Sequence, residues 1–235
     1  MFTAVTGIRA VQAFKPHMRT SSFCAMSPHF HFSSQDQRGP SAAQTPATQD
    51  DVDVPPEEFK KMQDSLKKFA QCMTLGKYAA AQMVLTEHRA DIERWFPDDH
   101  PAHLSVDNNQ GLLLKLDGNF EEARRIFERV TERYTYFYGE AHPSTINALV
   151  NLGTVLKDVG EFEEAIPVFE RVIEGRRATE GDTSINYAMA KAMAAGAYRE
   201  VGEYDKADLM IKDAYTIVAM EYGEDNVTIS AILNS

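Results

Sequence analysis

The sequence lacks several features that define common classes of protein. Its 235 residues include only two cysteines, Cys24 and Cys72, which is too few for a framework of disulfides. No apolar run approaches the length that a membrane-spanning helix requires. Acidic residues outnumber basic ones, 35 to 24, and the formal net charge is −11. This balance argues against general nucleic-acid binding.

Acidic residues are absent from the first 35 positions, and the first one is Asp36. The segment is rich in Ser, Thr, Phe and Ala, and it carries three basic residues, Arg9, Lys15 and Arg19. Apolar residues recur at every third position and would line one side of a short helix: Phe2, Val5, Ile8, Val11 and Phe14. These properties are typical of a mitochondrial transit peptide, which we predict for residues 1–35. A plastid peptide and a disordered tail also fit the composition.

Glycine is sparse, but four of the 13 glycines are spaced 42 residues apart, at Gly76, Gly118, Gly160 and Gly202. An aromatic residue follows each of them after two positions, and an alanine follows after five. A large apolar residue stands nine positions after each glycine, at Leu85, Phe127, Phe169 and Ile211. Such self-similarity at a fixed period indicates a fold of stacked repeats.

Each repeat is predicted to be a hairpin of two helices. In the third copy, apolar residues of the first helix recur at steps of three and four, at Leu149, Leu152, Leu156 and Val159. Gly160 follows the last of them and is a typical helix stop. A second apolar face then begins at once, at Phe162, Ala165, Ile166 and Phe169. Because one hairpin cannot bury both of its faces alone, neighbouring hairpins must stack.

The third copy resembles the tetratricopeptide repeat in its pattern Leu149-x2-Leu152-Gly153-x2-Leu156, followed by Ala165-x3-Phe169. That repeat usually has a period of about 34 residues. The longer period of this chain, with its Gly-Glu-x-His-Pro loop, resembles the kinesin light chain subclass. The resemblance covers residues 60–235 and implies an all-α superhelical solenoid of antiparallel helix hairpins. The second copy departs from the pattern with Asp107 and Gln110 at two leucine positions.

The predicted organisation has three parts. The transit peptide at 1–35 is followed by a disordered linker at 36–56, whose polar residues and prolines offer little to bury. The repeats occupy 57–235, as four hairpins and a short terminal helix, with the hairpins near 57–96, 102–138, 144–180 and 185–222. The apolar residues between Val227 and Leu233 are expected to be covered by a partner or by further chain.

The sequence contains no assembled set of catalytic residues. No phosphate-binding glycine loop and no nucleophile elbow is present. His100 and His103 lie close to each other, but His100 and His142 occupy the same repeat position, which favours a structural role in the loops over a metal site. We therefore predict that the protein is not an enzyme and has no catalytic residue, no metal site and no cofactor.

A binding surface is predicted along the first helices, which line the concave groove in the family that the chain resembles. When the repeats are aligned on Gly153, three cations occupy one repeat position: Lys115, Lys157 and Arg199. Two amides occupy another: Asn109 and Asn151. Amides can bond a peptide backbone, and the cations can hold acidic side chains or a carboxylate. The alternative is that these cations are solvated and stabilise the negative ends of their helices.

The predicted function is therefore protein–protein interaction. The leader and the repeats together favour a mitochondrial scaffold, in the matrix or at the inner membrane, that acts as an assembly factor or accessory subunit and binds an acidic peptide segment. No nucleic-acid partner and no transmembrane segment are expected. A cytoplasmic cargo adaptor, similar to the kinesin light chains, is the alternative function. That role usually includes a heptad coiled coil before the repeats, and the sequence shows no such heptads.

Overall fold

A computed structural model describes residues 52–234, and this part of the chain is built of helices without any strand. The predicted transit peptide and all but the end of the predicted linker lie outside the described residues. The helices, in chain order, are α1 (Pro56–Thr74), α2 (Tyr78–Trp95), α3 (Ala102–Leu116), α4 (Phe120–Tyr138), α5 (Pro143–Val159), α6 (Phe162–Glu180), α7 (Ile185–Glu200), α8 (Tyr204–Tyr222) and α9 (Val227–Leu233). The predicted all-α solenoid is confirmed.

The helices pack in sequence order, each against the next, from α1 to α9. The odd-numbered helices are the first helices of the hairpins, and the even-numbered helices are the second ones. Two pairs of first helices also contact each other directly, α3 with α5 and α7 with α9. First helices of successive repeats therefore lie on the same side of the stack.

Glycine occupies the turn between the two helices of each hairpin, because that turn requires a backbone conformation with positive φ. Gly160 ends α5 with φ 84° and ψ 12°, a conformation that costs little only for glycine. The next amide, that of Glu161, donates to the carbonyl of Leu156 at 2.9 Å and satisfies one of the free carbonyls at the helix end. This arrangement sets the second helix antiparallel to the first after a very short turn.

A histidine precedes two of the first helices and caps them with its side chain. His142 Nδ1 accepts a hydrogen bond from the Ser144 amide at 3.2 Å, and its ring stacks on Tyr138 with 4.4 Å between centroids. His100 makes the equivalent bond to the Ala102 amide at 3.1 Å and stacks on Phe96. Each ring thus caps the helix that follows and packs against the helix that precedes. This pair of contacts gives a structural reason for histidine at this repeat position.

The core of each central hairpin depends on a glycine that faces a phenylalanine. A Cβ atom on Gly153 would lie 2.6 Å from Cε1 of Phe169, and one on Gly111 would lie 2.7 Å from Cε1 of Phe127. Both phenylalanines are fully buried. The missing side chain therefore lets the ring of the second helix pack directly on the backbone of the first.

His88 is an exception in the core of the first hairpin. Its side chain on α2 is only 2% exposed, and neither ring nitrogen has a hydrogen-bond partner. Burial lowers the pKa of His88 below its ordinary value of 6.5, and the charge of Asp91 opposes that shift only in part. Because the folded state binds this proton less readily than the unfolded state, stability falls as the pH drops below about 6.5.

Replacing His88 with leucine is expected to raise the free energy of unfolding by about 1–3 kcal/mol at neutral pH, because two unpaired buried polar atoms are removed. The advantage of the variant should grow between pH 7.5 and pH 5.5, since the wild type alone loses stability through protonation at this position. Urea unfolding of both proteins at the two pH values measures the difference. A constant difference would show that His88 does not titrate on unfolding.

Candidate functional site

The five residues predicted to bind a partner all lie on first helices. Asn109 and Lys115 belong to α3, Asn151 and Lys157 to α5, and Arg199 to α7. We call the surface that carries them the first-helix face. Each of the three cations stands in the last turn of its helix, near the turn that leads to the second helix.

Two side-chain contacts join α3 to α5 across this face. The Asn151 amide nitrogen donates to Asn108 Oδ1 at 2.9 Å, and Lys115 Nζ lies 3.2 Å from a carboxylate oxygen of Asp158. Sequence reasoning did not identify Asn108 or Asp158 as partners of these residues. The sequence did contain a signal for both contacts, because the two residues of each pair are about one repeat apart. Positions separated by one repeat lie side by side on neighbouring first helices.

Lys157 stands between the other two cations. It is half-buried, and no residue between 52 and 234 forms an ion pair with its ammonium group. Burial lowers the pKa of Lys157, and the positive charges of Arg199 and Lys115 lower it further, against the opposing charges of Asp158 and Glu200. Arg199 is half-exposed and only 3.9 Å from Glu200, its one ion-pair partner in the described chain. The acidic neighbours Asp158 and Glu200 thus compensate the positive charge of this face only in part.

The two asparagines differ in how much of their amide is free. Asn151 is 8% exposed, and its amide nitrogen donates one hydrogen bond to Asn108, which leaves one N–H and the oxygen of the amide for other partners. Asn109 is half-buried and makes no side-chain hydrogen bond within the described residues. Asn109 is the less buried of the two, and its whole amide is available as donor and acceptor.

Apolar side chains accompany the polar ones on the first helices. They are only partly buried, although each also packs against the core: Leu112, Leu116, Val150, Met189 and Met193. The first-helix face therefore combines a row of cations with accessible apolar surface. Such a combination suits a peptide that carries both acidic and apolar side chains.

A sequence comparison with known families decides the class of the protein. The family model of the tetratricopeptide repeat matches the chain twice, at residues 103–178 and at residues 144–219, and the two matches overlap. The chain belongs to the tetratricopeptide repeat family. The two matches cover three of the four hairpins described above, from α3 to α8. A comparison with curated protein sequences finds no match.

Solved structures with similar tetratricopeptide repeats come from kinesin light chain-like proteins. A candidate kinesin light chain of Podospora anserina with nearly identical TPR-like repeats has a TM-score of 0.63 at 17% identity, over 73% of this chain and 82% of that one. BtubC (BKLC) from P. vanneervenii has a TM-score of 0.58 at 12% identity, over 77% and 84% of the two chains. At these identities, the likeness shows a shared fold with the repeats of that subclass.

The tetratricopeptide repeat fold suggests a protein–protein interaction scaffold, and proteins of this family bind protein partners and are typically not enzymes. Between residues 52 and 234, no group of three or more His, Cys, Asp or Glu side chains is placed to hold a metal ion. No helix in the same range is long and apolar enough to cross a membrane.

Proposed function

We propose that this tetratricopeptide repeat protein is a mitochondrial scaffold whose first-helix face captures an acidic peptide segment of a partner protein. The partner is a subunit of a larger assembly, to which the scaffold contributes as an assembly factor or an accessory subunit. The proposal rests on one observation above the others, namely the half-buried ammonium group of Lys157, which has no ion pair between residues 52 and 234.

The position of Lys157 argues for a ligand, because a lysine held between two further cations destabilises the unbound protein. A carboxylate that enters between Lys157 and Arg199 would relieve this repulsion and form charge-assisted hydrogen bonds. The exposed lysine of the alternative interpretation would gain little from such a ligand, because a solvated charge is already stabilised by water. The burial of Lys157 therefore favours the binding role.

An extended or helical segment fits the surface better than a single small ligand does. The cations repeat from one hairpin to the next, so a ligand must run along the stack to reach more than one of them. The free groups of Asn109 support a contact with the backbone of that segment. The accessible apolar side chains on the same helices would receive its apolar residues.

The mitochondrial part of the proposal rests on the acid-free, amphipathic composition of residues 1–35. Removal of this segment would also leave a more acidic protein, because it carries three basic residues and no acidic ones. A cytoplasmic cargo adaptor would retain the segment.

Expression of the chain with a C-terminal tag in its own cells tests the location. We expect a shortened form inside mitochondria whose first residue lies between about 20 and 36. Sequencing of the N-terminus and fractionation of the cells give both results in one preparation. A full-length form in the cytosol would refute the mitochondrial part and favour the cargo adaptor, whereas the first-helix face would be tested separately by the charge reversals described below.

A further inference from the structure

The junction between the third and fourth hairpins is polar at positions that are hydrophobic in the other hairpins. Arg176, near the end of α6, occupies a repeat position that buries a large hydrophobic side chain in the other three copies: Ile92, Tyr134 and Val218. Glu180 stands where the other copies have an aromatic residue: Phe96, Tyr138 and Tyr222. Because arginine is seldom found at a core position without partners, this exchange marks the junction as different from the others.

The contacts of Arg176 tie α6 to both neighbouring helices. Its guanidinium donates to a carboxylate oxygen of Glu180 and, at 3.0 Å, to Asn147 Oδ1 of α5. The other carboxylate oxygen of Glu180 accepts a hydrogen bond from the Asn186 amide nitrogen of α7 at 2.8 Å. Arg176 is thus the centre of a small network, and a new anion that competes for its charge would loosen the junction.

Thr179 lies next to this network and is exposed. It ends the run Arg176-Arg177-Ala178-Thr179, in which arginines stand three and two residues before the hydroxyl. No other serine or threonine of the sequence has arginines at both of these positions. Serine/threonine kinases that select basic substrates recognise this spacing, because carboxylates in their substrate groove pair with guanidinium groups.

The last turn of α6 is suited to the unwinding that a kinase requires. Glycines flank the turn, and Gly175 lowers the stability of the helix interior while Gly181 ends the helix with φ 84°. The Thr179 hydroxyl donates to the carbonyl of Gly175 at 2.9 Å and has no bond to another helix. Local opening at this helix end therefore frees the hydroxyl without unfolding the rest of the hairpin.

We propose that Thr179 is a phosphorylation site for a kinase that selects basic substrates, and that its phosphate opens the junction. The Thr179 oxygen attacks the γ-phosphorus of ATP, the bond from that phosphorus to the β–γ bridging oxygen breaks, ADP leaves, and the hydroxyl proton passes to the kinase. The phosphate then lies three residues from Arg176 on one face of α6 and replaces Glu180 as its partner. The negative end of the helix repels the new charge, so Asn147 and Asn186 lose their bonds. This regulation does not depend on the first-helix face.

Treatment of the full chain with the catalytic subunit of cAMP-dependent protein kinase and Mg-ATP tests the modification. Mass spectrometry of proteolytic fragments is expected to locate a phosphate on Thr179. Arg177→Gln should slow its incorporation more than about tenfold, because a charge-assisted contact with the kinase is lost. Arg177 is exposed and pairs only with Glu174 of its own helix, so this variant keeps the fold.

Thr216 of α8 is the internal control for this reaction. It is also an exposed helical threonine that donates to the carbonyl four residues earlier, but no arginine precedes it in the same helix. Thr216 should stay unmodified. A folded wild type without phosphate on Thr179 would overturn the proposal, as would equal modification of Thr216 or an unchanged rate in Arg177→Gln.

Hydrogen exchange of the phosphorylated and unmodified chains tests the opening of the junction. Amides of residues 176–186 should exchange about tenfold faster or more after phosphorylation, because their network is broken. Residues 134–142 form the equivalent junction of the second hairpin and should exchange at the same rate in both proteins. Unchanged exchange at 176–186, or equal acceleration at the two junctions, would overturn a local release.

Discussion

Replacing Phe169 with alanine is expected to lower the free energy of unfolding by about 3–5 kcal/mol, the range for removing a fully buried aromatic ring. The ring packs on the backbone of α5 at Gly153, where no side chain can move in to fill the space. Chemical denaturation followed by circular dichroism measures the loss. Met220→Ala is the control, because Met220 is 81% exposed and its removal should change stability by less than about 0.5 kcal/mol.

The reciprocal change tests the same contact from the other side. Gly153→Ala places a Cβ atom where the Phe169 ring lies, and overpacking of this kind costs about 1–3 kcal/mol. The fourth repeat suggests a compensating change, because Ala195 and the large residue Ile211 occupy the equivalent positions. Gly153→Ala combined with Phe169→Ile should therefore recover much of the loss. Additive losses in the double variant would show that the two positions do not oppose each other.

Reversing the charge of Lys157 and Arg199 together is expected to weaken the binding of an acidic peptide by about 100-fold or more, because two charge-assisted contacts become repulsive. The peptide is the most enriched sequence from a random library selected on the wild-type chain, and fluorescence anisotropy measures its affinity. We expect that selection to favour aspartate and glutamate, since the first-helix face carries cations that the described chain compensates only in part.

The control for this experiment is an equal change of charge on second helices. Arg125 on α4 and Lys212 on α8 are both exposed, and reversing both gives the same net charge as the first variant. This control should retain most of the affinity, because only long-range attraction is reduced. Equal losses in the two variants would contradict a specific site, and unchanged binding in Lys157→Glu with Arg199→Glu would refute the first-helix face as the binding surface.

Periodicity made the fold predictable from the sequence. Four glycines with one spacing located the turns, and apolar steps of three and four identified the helices on either side of them. Repeats place the same physical requirement at the same position several times, so that a single ambiguous residue matters little. The first copy illustrates this, because its sequence departs from the pattern at Phe69 and yet α1 forms as a helix with Phe69 buried in the core.

The regular spacing of the repeats also placed the candidate cations on neighbouring first helices. There the charges of Lys115 and Arg199 act on Lys157. It gave no information about burial, and the half-buried position of Lys157 became visible only in the structure. Side-chain pairs such as Asn151 with Asn108 join different repeats and depend on rotamers that a periodic pattern does not specify.

Photo-crosslinking tests the central claim of an acidic partner segment on the first-helix face most directly. A photoreactive amino acid is placed at Asn109 on α3 in one protein and at Met83, which is 66% exposed on α2, in another. Each purified full chain is irradiated with the selected acidic peptide, and mass spectrometry locates the crosslinks. We predict crosslinks from position 109 that disappear when Lys157 and Arg199 are reversed. Crosslinks from position 83 with none from position 109 would contradict the account.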